Sequence, residues 1–226
     1  MKILYEDDDI LVINKPVGVS SEADIEKPNN VLSCLASEGY KGELYTLHRL
    51  DMSVGGVMVY ARNKFSAAKI SDAIQNNKLT KCYLLVCADT PLEKSGVMED
   101  ILFKDSVKQK SFVVKKERKG AKKASLEYSV IKSTSDTSLV SVKLHTGRFH
   151  QIRCQFASRK MPLLGDGKYG SRDNRAKNIS LFSYLVGFNH PRSDKYMEFR
   201  DYPDVTLYPW DKYIDEIKEM AVKNLF

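Results

Sequence analysis

From Leu139 to Leu144 the chain alternates, with Val140, Val142 and Leu144 apolar and Ser141 and Lys143 polar. A period of two puts each set on its own face of an extended segment, so the run reads as a strand with one solvated side. Such a strand needs neighbours. The stretches Val97–Phe103, Ser111–Val114 and Ala124–Ile131 supply them, with Gly, Ser, Asp and Lys in the gaps. Gaps this short join antiparallel strands, because a parallel crossover takes a dozen residues or more.

The rest of the chain fits around that centre. Ile3-Leu4-Tyr5, an acidic turn at Asp7-Asp8-Asp9, and Ile10-Leu11-Val12-Ile13 form a hairpin that ends at Asn14-Lys15-Pro16. Ser20 to Asn30 is polar and reads as a loop. Asn30 caps a short helix with Val31, Leu32 and Leu35 on one face and Gly39 at its end. Val57-Met58-Val59-Tyr60 is a buried strand, and Asn63 caps a second helix with Ala67, Ile70 and Ile74 at helical spacing. Tyr83-Leu84-Leu85-Val86 is apolar enough to be buried on both faces. Thr146-Gly147 turns the chain into a helix from about His150 to Ser158. Leu181–Val186 and Tyr196–Arg200 form a further strand pair. After Pro209, Trp210, Tyr213, Ile214, Ile217 and Ala221 mark a last helix. The fold class is α+β, with a large mixed, mainly antiparallel sheet flanked by helices.

At 226 residues the chain is long enough to bury a sizeable core. No apolar stretch approaches the roughly 20 residues of a membrane helix, and the acidic N-terminus is unlike a signal peptide, so a cytoplasmic protein is expected. Cys34, Cys82, Cys87 and Cys154 form no C-x-x-C pair and have no His at zinc spacing. They read as reduced core residues, and neither a disulfide framework nor a metal site is expected. The formal charge is +7, and nine basic residues against two acidic ones between Lys104 and Lys123 account for all of it. Lys115, Lys116 and Lys119 lie in that stretch. A solvated charged hairpin has this composition, and so does a surface for a polyanion such as RNA.

Two segments hold the chemistry. His48-Arg49-Leu50-Asp51 places a carboxylate beside two basic side chains, just ahead of a buried strand. A carboxylate held rigidly and partly desolvated serves as nucleophile or base, although an isolated R-x-D is more often a cap or an ion pair. A hundred residues later comes Thr146-Gly147-Arg148-Phe149-His150-Gln151-Ile152-Arg153.

Together the two segments resemble the RluA-type pseudouridine synthases, which carry an H-R-L-D motif and a later G-R-x-H-Q-I-R. Lys81-Cys82-Tyr83 resembles the family's K-x-Y, and Pro162 to Gly170 its P-x-x-G-D-x-x-Y-G. Lys123-Ala124 with Tyr128, and Phe188-Asn189-His190-Pro191, fit two further segments, in family order from about Leu11 to Pro203. The resemblance implies one catalytic domain over 1–226, with two sheet-sharing halves and a catalytic cleft between them. A strand running into N-K-P is where the family's catalytic domain begins, so no separate N-terminal RNA-binding module of the S4 kind is expected.

It also implies the activity: an isomerase that converts a specific uridine of a structured RNA, rRNA or tRNA, to pseudouridine. Nothing is oxidised or reduced, so no cofactor is expected. The partner is RNA, and the protein is expected to be a monomer. By resemblance Asp51 is the catalytic aspartate, Arg153 the arginine that ion-pairs with it, and Tyr83 the tyrosine that packs on the uracil ring. His48, Arg49, Arg148, His150 and Gln151 join the lysines as RNA-binding candidates, with Arg49 a wedge or a phosphate contact. Two departures stand out. Val54-Gly55 replaces the usual Thr-Ser ahead of Gly56, which should loosen the loop behind Asp51. Phe149 replaces a Thr, and Cys154-Gln155-Phe156 replaces V-H-L. The competing readings are a catalytically retired RNA-binding module and an RNA N-glycosylase, the latter disfavoured because no second carboxylate is placed to activate water.

Overall fold

The acidic run near the N-terminus is a turn because Asp7 Oδ1 accepts the backbone N–H groups of Asp9 and Ile10, each at 2.8 Å. It closes β1 (Lys2–Glu6) antiparallel onto β2 (Ile10–Lys15). The computed structural model describes residues 1–22, 28–89, 91 and 93–223. The chain divides into two units, Met1–Lys81 with Phe182–Pro203, and Cys82–Leu181 with Asp204–Phe226.

In the first unit β2 pairs with β4 (Gly55–Ala61), whose seven residues are all buried. The two-residue β3 (Tyr45–Thr46) also pairs with β4, and Gly55 and Gly56 run parallel to the start of β10 (Leu181–Asn189). β10 in turn pairs antiparallel with β11 (Tyr196–Arg200). Alternate residues of these strands face one core, in which Ile10, Val12, Val57, Val59, Val186 and Phe188 meet Ile70 and Leu79. Ile70 comes from α2 (Lys64–Gln75), capped by Asn63, whose side chain accepts from the Ser66 N–H at 2.9 Å. In α1 (Val31–Ser37), Asn30 and Ser33 form a reciprocal capping box, and Gly39, at φ +90°, follows the helix end. Of the expected loop over 20–30, residues 23–27 lie outside the described residues. A buried carboxylate ties the elements together: Asp9 accepts from Asn63, from Ser66 and twice from Arg192. Those bonds, led by Arg192, hold its carboxyl well below the usual carboxylate range.

The second unit is an antiparallel sheet in the order β5-β9-β8-β6-β7, with β5 (Thr80–Ala88), β6 (Ser95–Asp105), β7 (Lys110–Val114), β8 (Ala121–Ser133) and β9 (Thr137–Leu144). Several strands outrun their apolar cores. Lys122 and Lys123 look like turn residues by type, yet they pair with Leu102 and Ile101. Their backbones stay in the ladder while the side chains reach water. On α3 (Gln151–Ser158), Cys154 packs with Leu102, Ala124 and Tyr169. A 3-10 turn (Trp210–Tyr213) leads into α4 (Ile214–Lys223), and the fully buried Tyr213 lies 2.8 Å from the Thr137 hydroxyl.

Both units are α+β with mainly antiparallel sheets, as the strand patterning requires. All four cysteines are thiols outside any disulfide, with Cys82, Cys87 and Cys154 buried and Cys34 half-buried. Burial pushes the Cys87 thiol up to about 12 and that of Cys154 up to about 11, so both stay protonated at neutral pH. Among the described residues, no helix is long and apolar enough to cross a membrane.

Candidate active site

The first motif sits in the first unit, between β3 and β4. Its backbone is fixed by one hydroxyl. Ser21 Oγ donates to the Leu50 carbonyl at 2.9 Å and accepts the Leu50 N–H at 3.0 Å. The next residue, half-buried Asp51, begins a tight turn closed by Val54 N–H to the Asp51 carbonyl at 2.9 Å. Gly18 N–H holds the Met52 carbonyl at 2.8 Å. Beside this loop lies Lys15, fully buried, its ammonium donating to the carbonyls of Pro16 at 2.9 Å and Val19 at 2.8 Å. Burial pushes the Lys15 pKa down to about 8, and the negative charge of Asp51 pulls it back up. A buried cation therefore shares the environment of the candidate catalytic carboxylate.

The neighbours of Asp51 differ in character. His48 Nε2 accepts the Val59 N–H at 3.2 Å, which leaves the hydrogen on Nδ1. Burial, then the charge of Lys81, drive the imidazole pKa down to about 3, so the ring is neutral at physiological pH. His48 thus braces the loop against β4 and offers no positive charge to a phosphate. Arg49 is exposed and meets Glu22 at 3.0 Å, a surface ion pair of small worth.

The loop behind Asp51 is not loosened by Gly55. That glycine is the buried first residue of β4, held in register with Phe182. A Cβ there would lie 3.2 Å from both the Lys15 carbonyl oxygen and Val17 Cγ2. The strand uses Gly55 for close approach, and its intrinsic freedom is spent in the pairing.

The second motif sits in the second unit, at the start of α3. Gln151 is buried and clips the turn: its Oε1 accepts from Thr146 Oγ1 at 2.7 Å and from Arg148 N–H at 3.0 Å, and its Nε2 donates to the Ser125 carbonyl at 3.0 Å. His150 takes the left-handed region at φ +51° and stacks on Phe149, with ring centroids 3.8 Å apart. Its Nδ1 is 3.2 Å from the Tyr169 hydroxyl. Arg148 is exposed, with Nε donating to the Lys123 carbonyl at 2.9 Å. Arg153 points inward, and its Nε and Nη2 reach Asp166 Oδ2 at 2.7 Å and Oδ1 at 2.9 Å, both residues being buried. Tyr83, on β5 opposite Val142, is also buried.

The basic stretch runs along β6, β7 and the start of β8. Lys115, Lys116 and Lys119 are exposed in the connection between β7 and β8. Three of its other cations lie over rings: Lys104 Nζ is 4.5 Å from the Phe149 centroid, Lys110 Nζ 4.7 Å from Tyr169, and the Arg118 guanidinium 3.7 Å from Phe103. Phe149, the departure from Thr, is thus packed between a motif histidine and the basic hairpin.

Three residues of these sites escape a reading by residue type: Lys15, Ser21 and Asp166. Each stands in a recognisable segment (N-K-P, the polar loop, G-D), but only tertiary contact shows what it touches.

The comparisons with known proteins agree on one relationship. A family model described as RNA pseudouridylate synthase matches residues 9–158. An uncharacterised RNA pseudouridine synthase of Aquifex aeolicus is 32% identical, over 93% of this chain and 72% of its own length. One of Bacillus subtilis is 29% identical, over 88% of this chain and 68% of its own. The ribosomal large subunit pseudouridine synthase D of Borreliella burgdorferi is 30% identical over 79% of this chain, which spans 57% of that relative. Among solved structures, human RNA pseudouridylate synthase domain containing 1 aligns with TM-score 0.77 at 21% identity, covering 96% of this chain and 94% of its own. The domain containing 4 protein aligns at 0.74, also at 21%, covering 96% and 93%. At that identity the likeness speaks for the fold.

Proposed function

Because the chain belongs to the RNA pseudouridylate synthase family, whose members are isomerases acting on RNA, we propose that it converts a specific uridine of a structured rRNA or tRNA to pseudouridine, with Asp51 as the catalytic carboxylate. The reaction breaks the bond from ribose C1′ to uracil N1, turns the base, and joins C1′ to C5. The C5 proton leaves and N1 gains one, so the product is an isomer of the substrate. The target must first leave its stack to reach a protein side chain.

One observation supports Asp51 above any other acidic residue. It follows a buried Leu50 whose N–H and C=O are both held by Ser21, and it shares its surroundings with the buried Lys15. A carboxylate so held can attack carbon or take a proton without first reorganising. Tyr83 is assigned to pack against the uracil ring, and Arg153 to pair with the catalytic carboxylate and aim it. Lys115, Lys116, Lys119, Arg148 and Arg49, all exposed, are assigned to RNA phosphates. His48 serves Arg49, and His150 and Gln151 serve Arg148, by shaping the turns that bear these arginines. The protein acts as a monomer in the cytoplasm, where its RNA is.

The test is Asp51→Asn in a single-turnover assay on bulk RNA. The variant is expected to form no pseudouridine while RNA affinity survives, because an amide is neither nucleophile nor base. Activity within about tenfold of wild type would remove Asp51 from the chemistry, since losing a catalytic group costs far more. Wild-type protein that binds RNA without product would mark a retired binding module. Release of free uracil would mark a glycosylase.

A further inference from the structure

The carboxylate on Arg153 in the second unit is Asp166, and its loop is built to deliver it. Gly165 stands at φ +76°, where an added Cβ would overlap the Asn178 carbonyl oxygen, so the residue before Asp166 has to be glycine. The loop is stitched to β5: Leu164 N–H donates to the Val86 carbonyl at 3.0 Å, and Ala88 N–H to that of Pro162 at 2.9 Å. Past Asp166 the chain makes a 3-10 turn (Gly167–Tyr169), in which the Tyr169 N–H returns to the Asp166 carbonyl at 3.0 Å. The Tyr169 ring then lies 5.1 Å from the Arg153 guanidinium carbon. Its hydroxyl accepts the Ser111 N–H of β7 at 2.8 Å. One short loop, pinned to β5, thus grips the guanidinium along an edge and meets it with a ring.

We infer that Asp166 is a positioning residue for the reaction, acting through Arg153 to fix the direction in which that guanidinium presents its remaining donors. The inference rests on the functional reading above. A guanidinium has five N–H donors in a rigid plane, and the Asp166 pair takes two of them, along the Nε–Nη2 edge. That two-point grip sets the plane and its rotation, which a single hydrogen bond cannot do. Asn in place of Asp166 keeps the size but offers one acceptor oxygen and turns an NH2 group toward an N–H donor. The grip then becomes one-point, the charge is lost, and the far edge of Arg153 swings.

The test compares wild type, Asp166→Asn, Arg153→Lys and the double variant in single-turnover pseudouridine formation, with RNA affinity and nitrogen-labelled arginine spectra alongside. Asp166→Asn is expected to slow conversion on the order of 100-fold, the scale of a misplacement of about 1 Å. Affinity should stay within about threefold, as for a residue that acts on turnover and not on uniform binding. The Arg153 Nε–H resonance should move. In the Arg153→Lys background, where no fork remains to aim, Asp166→Asn should cost less than about twofold more. An unmoved resonance with a wild-type rate, or the same proportional loss in both backgrounds, would make Asp166 a loop-stability residue and overturn the inference. Should Asp166→Asn fail to fold, Asp166→Glu supports the same comparison, because it keeps the charge and displaces the carboxylate by one methylene. Wild-type protein without activity, or Arg153→Lys at full rate, would fail the functional reading instead, and the arginine spectra tell that failure apart from loss of the grip.

Discussion

The hydroxyl of Ser21 satisfies both backbone groups of Leu50, giving a hydrogen bond to its carbonyl at 2.9 Å and taking one from its N–H at 3.0 Å. Both residues are buried, so water cannot replace either bond. Ser21→Ala should therefore cost about 1–3 kcal/mol, the penalty for stranding buried polar groups. Because Asp51 is the next residue, turnover should fall more than RNA affinity. Denaturant midpoints and single-turnover rates read the two effects, and a stability loss under about 0.5 kcal/mol would show that the loop holds without the clamp.

The glycines at the head of β4 should separate sharply. Gly56 has φ +123°, and an added Cβ would overlap the Ser183 carbonyl oxygen and sit 2.6 Å from the Ser183 nitrogen. No flexible side chain can yield there, so Gly56→Ala is expected to cost about 3 kcal/mol or more. Gly55→Ser restores the residue usual in the family and meets its neighbours at 3.2 Å with ordinary extended backbone. Its cost should stay near about 1 kcal/mol, because small shifts of the neighbours relieve it. Equal thermal shifts for the two variants would contradict the close parallel approach of β4 and β10.

What could be foreseen and what could not divide along one physical line. Asn30 and Asn63 announce their helices because a cap bonds within three residues of itself. Leu139–Leu144 announces its strand because alternation is a local property, and the family motifs mark Asp51 and Arg153. Burial of polar residues is another matter. His48 and Gln151 suit RNA contact by residue type, yet one braces β4 and the other closes a turn onto Ser125. Asp166 stands only 13 residues from Arg153, but a loop pinned to β5 brings them together. Partners of that kind are set by tertiary closure, which residue spacing does not encode.

The exposed lysines between β7 and β8 should act as phosphate contacts. Reversing Lys115, Lys116 and Lys119 together to Glu is expected to weaken RNA binding and to flatten its log–log salt dependence by roughly 0.7–0.9 per lost contact. Pseudouridine formation at saturating RNA should persist, since none of the three is assigned to chemistry. Titration at several salt concentrations measures the slope. A slope equal to that of wild type would make the stretch a solvated hairpin.

Lys15 supplies a test of its proximity to Asp51 that needs no RNA. Its folded pKa lies near 8, below the ordinary 10.5, chiefly through burial. Below pH 8 the ammonium is charged in both folded and unfolded chains, and the fold bears the full cost of burying it. As pH rises from about 8 to about 10.5 the folded protein releases the proton while the unfolded chain still holds it. The unfolded state then binds more protons, so this residue makes stability rise with pH across that window. The change should approach about 3 kcal/mol, because each pH unit between the folded and unfolded pKa values adds roughly 1.4 kcal/mol. Other groups titrate there too, so the quantity to follow is wild type minus Lys15→Met, in which they cancel. Asp51→Asn removes the charge that pulls the lysine pKa up, and should move the onset of the rise below pH 8. A flat difference curve would mean that Lys15 is not a buried cation, and an onset unmoved by Asp51→Asn would separate the lysine from the catalytic carboxylate.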